Sequence, residues 1–177
     1  MEVIMENLMH LYTGDGKGKT TASMGAAIRM LGHGGKVLIV QFMKQDNSGE
    51  LVSLKKLGAN IYKMPAFSMF TYQMDKEQLE DATNRMRKAI DGIINEIAIY
   101  NPALTVLDEL SVATGLKLIN EQDANLLIDA ALISGECIVT GRYAPQWLID
   151  RANYVSEIKS IKHPFDSGVN ARKGIEW

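Results

Sequence analysis

Hydrophobic positions along the chain follow two alternating rhythms. Short, nearly continuous apolar runs lie at Asn7–Tyr12, Lys36–Met43, Leu104–Leu107, Cys137–Thr140 and Tyr154–Ile158, with a weaker one at Asn60–Met64. Unbroken apolarity, as in Val37-Leu38-Ile39-Val40, marks a strand covered on both faces, the habit of parallel sheets. Between these runs, apolar residues recur at helical spacing. Lys19–Leu31 sets Ala22, Gly25, Ala26 and Met30 on one stripe and closes on Gly32 and Gly34-Gly35. Asp75–Ile99 carries Leu79, Met86, Ile90, Ile93, Ile94 and Ile97 on its apolar side and is stopped by Asn101-Pro102. Glu121–Ser134 carries Leu126, Leu127, Ala130 and Ala131, and Pro145–Ala152 begins with a proline suited to a first helical turn. This alternation predicts an α/β fold with a mostly parallel central sheet flanked by helices and joined by right-handed crossovers. No repeat, low-complexity tract or linker divides the chain, so residues 1–177 read as one domain.

Composition narrows the function classes. With 177 residues the chain can bury roughly 70% of its unfolded surface without staples. Lys plus Arg number 19 against 21 Asp plus Glu, a net charge of −2. That balance argues against a general pull toward nucleic acid or anionic membrane. The longest uncharged runs, Ile97–Leu107 and Met64–Met74, fall far short of the ~20 residues needed to span a bilayer. Acids at Glu2 and Glu6 stand where a signal peptide carries bases, which points to the cytoplasm. The single cysteine, Cys137, cannot form an internal disulfide or a Cys-rich metal site, and within its apolar run reads as buried and inert.

Ligands of parallel sheets sit at the carboxyl ends of strands. Three chemically loaded stretches fall there: Thr13–Thr20, Asp108-Glu109 and Thr140–Arg142. Thr13-Gly14-Asp15-Gly16-Lys17-Gly18-Lys19-Thr20 follows a strand and opens a helix, as a Walker A phosphate loop does, with Thr13 in place of the first glycine. Gly14, Gly16 and Gly18 let the backbone bend so that successive N–H groups face an anion, and the following helix adds its positive end. Lys19 supplies a cation for phosphate oxygens, and the Thr20 hydroxyl suits magnesium. Lys17 reads equally as a second phosphate cation or as a solvated side chain. Asp108-Glu109, after Val106-Leu107, resembles a Walker B strand whose carboxylate holds the metal or its water. Arg142, at a strand end, reads as a contact to a bound ligand, or as a surface ion-pair partner. The loop alone stops at binding ATP or GTP. It leaves open an ATPase or phosphotransferase acting at the γ-phosphate and a RecA-like nucleic-acid or regulatory module, although the spacing singles out no base to activate a nucleophile.

Several stretches together resemble the ATP:corrinoid adenosyltransferases of the CobA/BtuR type. They are Tyr12–Ala22, Val40-Gln41-Phe42-Met43-Lys44, Val106-Leu107-Asp108-Glu109-Leu110, Thr140-Gly141-Arg142 and the tail Lys162-His163-Pro164-Phe165-Asp166-Ser167-Gly168-Val169, continuing Ala171–Trp177. They occur in the family's order from near residue 8 to the end, and Thr13 is the family's own variant of the loop. The resemblance implies a P-loop NTPase (RecA-like) fold and transfer of the 5′-deoxyadenosyl group of ATP to the Co(I) of a reduced corrinoid, with triphosphate released. Cob(I)alamin is itself the nucleophile, which makes sense of the missing base. The resemblance further implies nucleotide contacts from Thr13 through Thr21 and a Mg2+ or Mn2+ ion held by Thr20 and Glu109, with Asp108 a less certain ligand. It also implies an electron-donor protein such as a flavodoxin or other flavoprotein, and a homodimer.

Met64–Met74 contains Pro65, Phe67, Met69, Phe70 and Tyr72 without a charge. Alone it reads as core or dimer interface more readily than as a cofactor site. In the family a Phe-x-Trp pair lies at the equivalent place and is associated with removing the corrinoid's lower ligand. Phe70-Thr71-Tyr72 matches it with Tyr for Trp, in a segment about two residues longer. About a dozen residues precede the loop, where some members have a longer leading helix that covers the site, so the expectation is a site without that lid. His163 reads as a donor to nucleotide or corrinoid, or as a structural residue, while His10 and His33 read as structural or exposed.

Overall fold

The computed structural model describes residues 7–43, 48–65 and 75–175. Within them, six parallel strands form one sheet: β1 (Met9–Thr13), β2 (Val37–Gln41), β3 (Asn60–Tyr62), β4 (Leu104–Asp108), β5 (Glu136–Thr140) and β6 (Tyr154–Glu157), in the order β3-β2-β4-β5-β1-β6. The helices are α1 (Lys19–Gly32), α2 (Gly49–Lys56), α3 (Lys76–Tyr100), α4 (Leu110–Gly115), α5 (Glu121–Ser134) and α6 (Gln146–Arg151). The expected α/β fold with a parallel sheet is therefore the observed one. Continuous apolarity in β2 and β4 has its predicted cause, since all five residues of each are buried.

Alternate residues of the inner strands β2, β4 and β5 enter two separate cores, as a pleat of period two requires, whereas the edge strand β6 is exposed. Met9, Leu11, Leu38, Val40, Leu107, Cys137 and Val139 pack with Met86, Ile90, Ile93 and Ile97 of α3 and Leu127 and Ile128 of α5. On the opposite face Val37, Ile39, Leu104, Val106 and Ile138 pack with Met24 and Ala27 of α1 and Leu54 of α2. Helix ends carry their caps. Asp75 accepts from the Gln78 N–H while Gln78 returns a bond to the Asp75 N–H, and Asn101 ends α3 in the left-handed conformation at φ 49°. Asn120 accepts from the Asp123 N–H at the start of α5.

Three stripe assignments change. Leu79 and Leu126 are solvent-exposed; Ala82 and Ala89 take the inward positions of α3. Ala22 and Gly25 of α1 are exposed, and Ser23, Met24 and Ala27 face the sheet instead. Pro145 is the cap residue preceding α6 rather than part of its first turn. The stretch with Phe70 and Tyr72 lies outside the described residues.

β1 stands between β5 and the edge strand β6, and β5 separates it from β4. All strands point the same way, so the phosphate loop, the Asp108-Glu109 pair and the turn after Thr140 open at one end of the sheet. Beyond β6 the chain runs against the loop: the Ile158 N–H donates to the Thr13 carbonyl at 2.8 Å, and the Gly16 N–H donates to the Ile158 carbonyl at 2.8 Å.

Candidate active site

The loop's three glycines serve two different needs. A Cβ on Gly14 would lie 2.4 Å from the Ile158 oxygen, and one on Gly16 would lie 2.7 Å from the same atom. Both glycines admit the passing backbone of Ile158-Lys159. Gly18 has open space beside it and is required by its φ of +123°. Asp15 is turned away from the loop's mouth and accepts from the Ser160 N–H at 3.2 Å, a second tie to the tail.

Lys19 opens α1 with its ammonium folded back across the loop, 2.7 Å from the carbonyls of both Gly14 and Gly16, and is only 6% exposed. Burial holds its pKa below the ordinary lysine value, and the nearby Arg142 guanidinium acts in the same direction. Glu109, Asp15 and Asp108 oppose the shift.

Beside Lys19, the Thr20 hydroxyl donates to Asp108 Oδ1 at 2.9 Å. Asp108 is fully buried at the end of β4. It also accepts from the Thr140 hydroxyl at 2.6 Å and from Gln41 Nε2 at 3.0 Å. Thr140 in turn accepts from the Glu109 N–H at 3.0 Å, fixing Glu109 at a left-handed φ of 64° as the chain turns into α4. The acidic pair is thereby divided. Asp108 lies behind Thr20, while Glu109 lines the pocket.

That pocket has a volume of about 820 Å3. Gly16, Lys17, Gly18, Lys19, Thr20, Thr21, Glu109 and Arg142, all named from sequence, meet in its wall. Thr13, Gly14, Asp15 and Asp108 support it from behind. The exposed face of α1 (Gly25, Ile28), the start of α2 (Gly49, Glu50, Ser53) and the tail residues His163, Gly174 and Ile175 complete it. His163 caps the 3-10 turn Pro164–Ser167 by accepting from the Phe165 N–H at Nδ1, so its proton belongs on Nε2. Sequence reading missed Gln41 and Thr140 as members of the Asp108 network. The signal was present in both: a polar side chain at the carboxyl end of an otherwise apolar strand.

Among the described residues no group of three or more His, Cys, Asp or Glu could hold a metal by itself. One hydroxyl and one carboxylate, Thr20 and Glu109, do face the phosphate loop. Such a sparse oxygen set fits an ion that takes its remaining ligands from phosphate and water, as magnesium does.

The sheet, the glycine loop and the Lys19–Thr20–Asp108 arrangement define a P-loop nucleotide-binding α/β domain. In keeping with that fold, the chain is similar in structure to the flagellar accessory protein FlaH of Methanocaldococcus jannaschii, with a TM-score of 0.52 at 13% identity, covering 86% of this chain and 70% of that one. Residues 5–177 match the family described as ATP:corrinoid adenosyltransferase BtuR/CobO/CobP, and the chain belongs to that family. It is 32% identical over 168 residues to the corrinoid adenosyltransferase of Escherichia coli strain K12, covering 94% of this chain and 84% of the relative. Identity to the corrinoid adenosyltransferase CobA of Salmonella typhimurium is 31% over 174 residues, with the same coverage, and to the Pseudomonas aeruginosa enzyme 30% over 168 residues, covering 94% and 82%.

Proposed function

We propose that the protein transfers the 5′-deoxyadenosyl group of ATP to the Co(I) of a reduced corrinoid and releases triphosphate. Family membership supports the reaction, and the observation that carries the site assignment is the buried Lys19 ammonium held 2.7 Å from two loop carbonyls. Those carbonyl bonds keep the cation in place until phosphate oxygens replace them. The backbone N–H groups of Gly14–Lys19 and the Lys19 ammonium then stabilise charge on the triphosphate as the C5′–O bond breaks and its electron pair leaves with the phosphate. Cobalt supplies the electron pair of the new Co–C bond, so the protein's work is positioning and charge stabilisation rather than proton removal. Arg142, across the mouth, adds a second cation, and Lys17 a third at the rim.

Magnesium or manganese, bound with the nucleotide, would spread the negative charge of the leaving group. Thr20 and Glu109 would hold it, and Asp108 acts through Thr20: by accepting the hydroxyl proton, it leaves the Thr20 lone pairs free to face the ion. Phe70 and Tyr72, outside the described residues, remain the proposed corrinoid contacts. His163 Nε2 is a donor at the pocket wall for the nucleotide. A homodimer, a flavoprotein such as a flavodoxin as electron donor and a cytoplasmic setting complete the reading. Among the described residues, no helix is long and apolar enough to cross a membrane.

An anaerobic assay with ATP, magnesium and chemically reduced cob(I)alamin tests the proposal. Light-sensitive adenosylcobalamin with intact triphosphate is expected. ADP and phosphate without a corrinoid product would replace it with a P-loop ATPase.

A further inference from the structure

Among the described residues, five other than glycine have a left-handed φ. Asn101 and Lys117 adopt it just past the ends of α3 and α4. The other three leave the sheet from neighbouring strands, at the edge where the phosphate loop opens. Met43 (φ 58°) lies two residues past β2, Glu109 (φ 64°) directly past β4, and Tyr143 (φ 52°) three residues past β5. Glu109 has a local reason: its N–H donates to Thr140, and the turn brings its side chain into the pocket wall. Burial gives Met43 and Tyr143 no such reason, for they are 38% and 83% exposed. Bulky side chains are rare at such φ, which glycine and asparagine adopt readily. Strained side chains held out to solvent at a site edge point to a ligand.

Which ligand follows from what the edge already holds. Arg142 lines the nucleotide pocket, and its carbonyl accepts from the Ser111 hydroxyl at 3.2 Å, which pins the turn against α4. Tyr143, the next residue, lies outside that wall. A nucleotide base needs neither Tyr143 nor Met43, because Met24, Ile28 and Ile175 already give the pocket an apolar side. A second substrate has to reach the C5′ of bound ATP from outside the filled pocket, across this rim. β2 and β5 stand two strand spacings apart, about 10 Å, with β4 and Glu109 between them. Two apolar side chains so separated fit a broad, flat, apolar surface better than a narrow chain or a point charge. The corrin macrocycle presents such a face.

We propose that Tyr143 and Met43 form an apolar ledge at the mouth of the nucleotide pocket on which the corrin ring rests, Tyr143 by its aromatic face. The left-handed turns are what lift the two side chains clear of the strand ends. The inference rests on the corrinoid reading above and adds two contacts that belong to the sheet edge itself.

The test is anaerobic equilibrium dialysis of cob(II)inamide with saturating ATP and magnesium. Co(II) lacks the electron pair that attacks carbon, so no turnover intervenes. Tyr143→Asn suits the left-handed turn but removes the ring. It should bind cob(II)inamide about tenfold more weakly, with urea stability equal to or above that of the wild type. Tyr143→Phe, which keeps the ring, should stay within about twofold of the wild type. Met43→Asn, at the less exposed position, should lose about threefold. A fall in stability or a matching loss of ATP affinity in Tyr143→Asn would make the residue a support for the fold or for Arg142, and would overturn the ledge. So would unchanged cob(II)inamide affinity, including the case where only the rate with a flavoprotein reductant falls, which would mark a protein-docking residue. A changed subunit mass would overturn it too, by assigning Tyr143 to an interface between copies of the chain. Adenosylated product from the wild type is scored separately. Its absence would remove the proposed reaction, whereas product formed with no binding loss in Tyr143→Asn would remove the ledge alone.

Discussion

Lys19 is tied to the loop by the same N–H donors it would offer a phosphate. Its ammonium bonds to Gly14 and Gly16 carbonyls, and burial followed by Arg142 lowers its pKa. A bound polyphosphate favours the charged form, so the lysine's pKa is higher in the complex than in the free protein. Between those two values binding must take up a proton, and ATP affinity falls as pH rises through the lowered, free-state pKa. Calorimetry at alkaline pH in buffers of different ionisation enthalpy should show that uptake, and Lys19→Ala should abolish it. The same variant should lose about 10^2–10^3-fold in kcat, the usual effect of removing one preorganised donor to a charged transition state. Thr140 makes a different claim. Thr140→Val keeps shape but removes a donor to buried Asp108 and the acceptor for the Glu109 N–H, at about 1–3 kcal/mol in urea denaturation. Thr140→Ser, which retains the hydroxyl, should restore most of it. The loop, Lys19, Thr20, Glu109 and Arg142 were legible as residues of one pocket, because they follow strands whose carboxyl ends a parallel sheet gathers at one edge. Thr140 and Gln41 showed in the sequence only as polar strand ends; their shared bond to Asp108 was not legible, because it depends on side chains that neighbouring strands bring together.

At the scale of elements, strand and helix types were readable wherever burial imposed a long pattern. β2 and β4 announced themselves by five consecutive buried residues, and α3 by seven turns of one apolar stripe. α2 and α4 span eight and six residues, too few for periodicity to stand out from chance, and they were not anticipated. Leu79 and Leu126 were misassigned because a stripe marks a face without fixing how much of it the neighbouring element covers. The strand order β3-β2-β4-β5-β1-β6 depends on contacts between distant segments and has no local signature. The phosphate loop and α1 offer a test at this scale, because glycines a few residues apart obey opposite rules. Gly16→Ala drives a Cβ to 2.7 Å from the Ile158 oxygen and should break the tie between loop and tail, lowering both stability and ATP affinity. Gly25 is helical, with open space beside it. Gly25→Ala should therefore raise stability by about 0.5–1 kcal/mol in the same urea experiment.

The whole molecule couples these elements through one sheet, and Cys137 reports on it. The thiol lies in β5, between β1 and β4, with no exposed surface, and burial pushes its pKa from 9.0 up to about 12. A thiol reagent at pH 8 therefore reaches it only when the sheet opens. The same shift sets an alkaline limit. The unfolded chain gives up this proton first as pH rises past 9, so the thiol's contribution to stability is complete below that point and is lost progressively toward 12. ATP binds only where β1, β4, β5 and the Ile158 tail hold the loop together. Ligand at a hundred times its Kd lowers the unliganded open population about a hundredfold, equivalent to ~2.7 kcal/mol. If β5 is exposed only by global opening, labelling of Cys137 by a disulfide reagent should slow by that same factor with ATP and magnesium, and should not slow in Lys19→Ala. Labelling that ignores ATP in the wild type would mean that β5 opens without releasing the nucleotide, and would separate the phosphate site from the cooperative core.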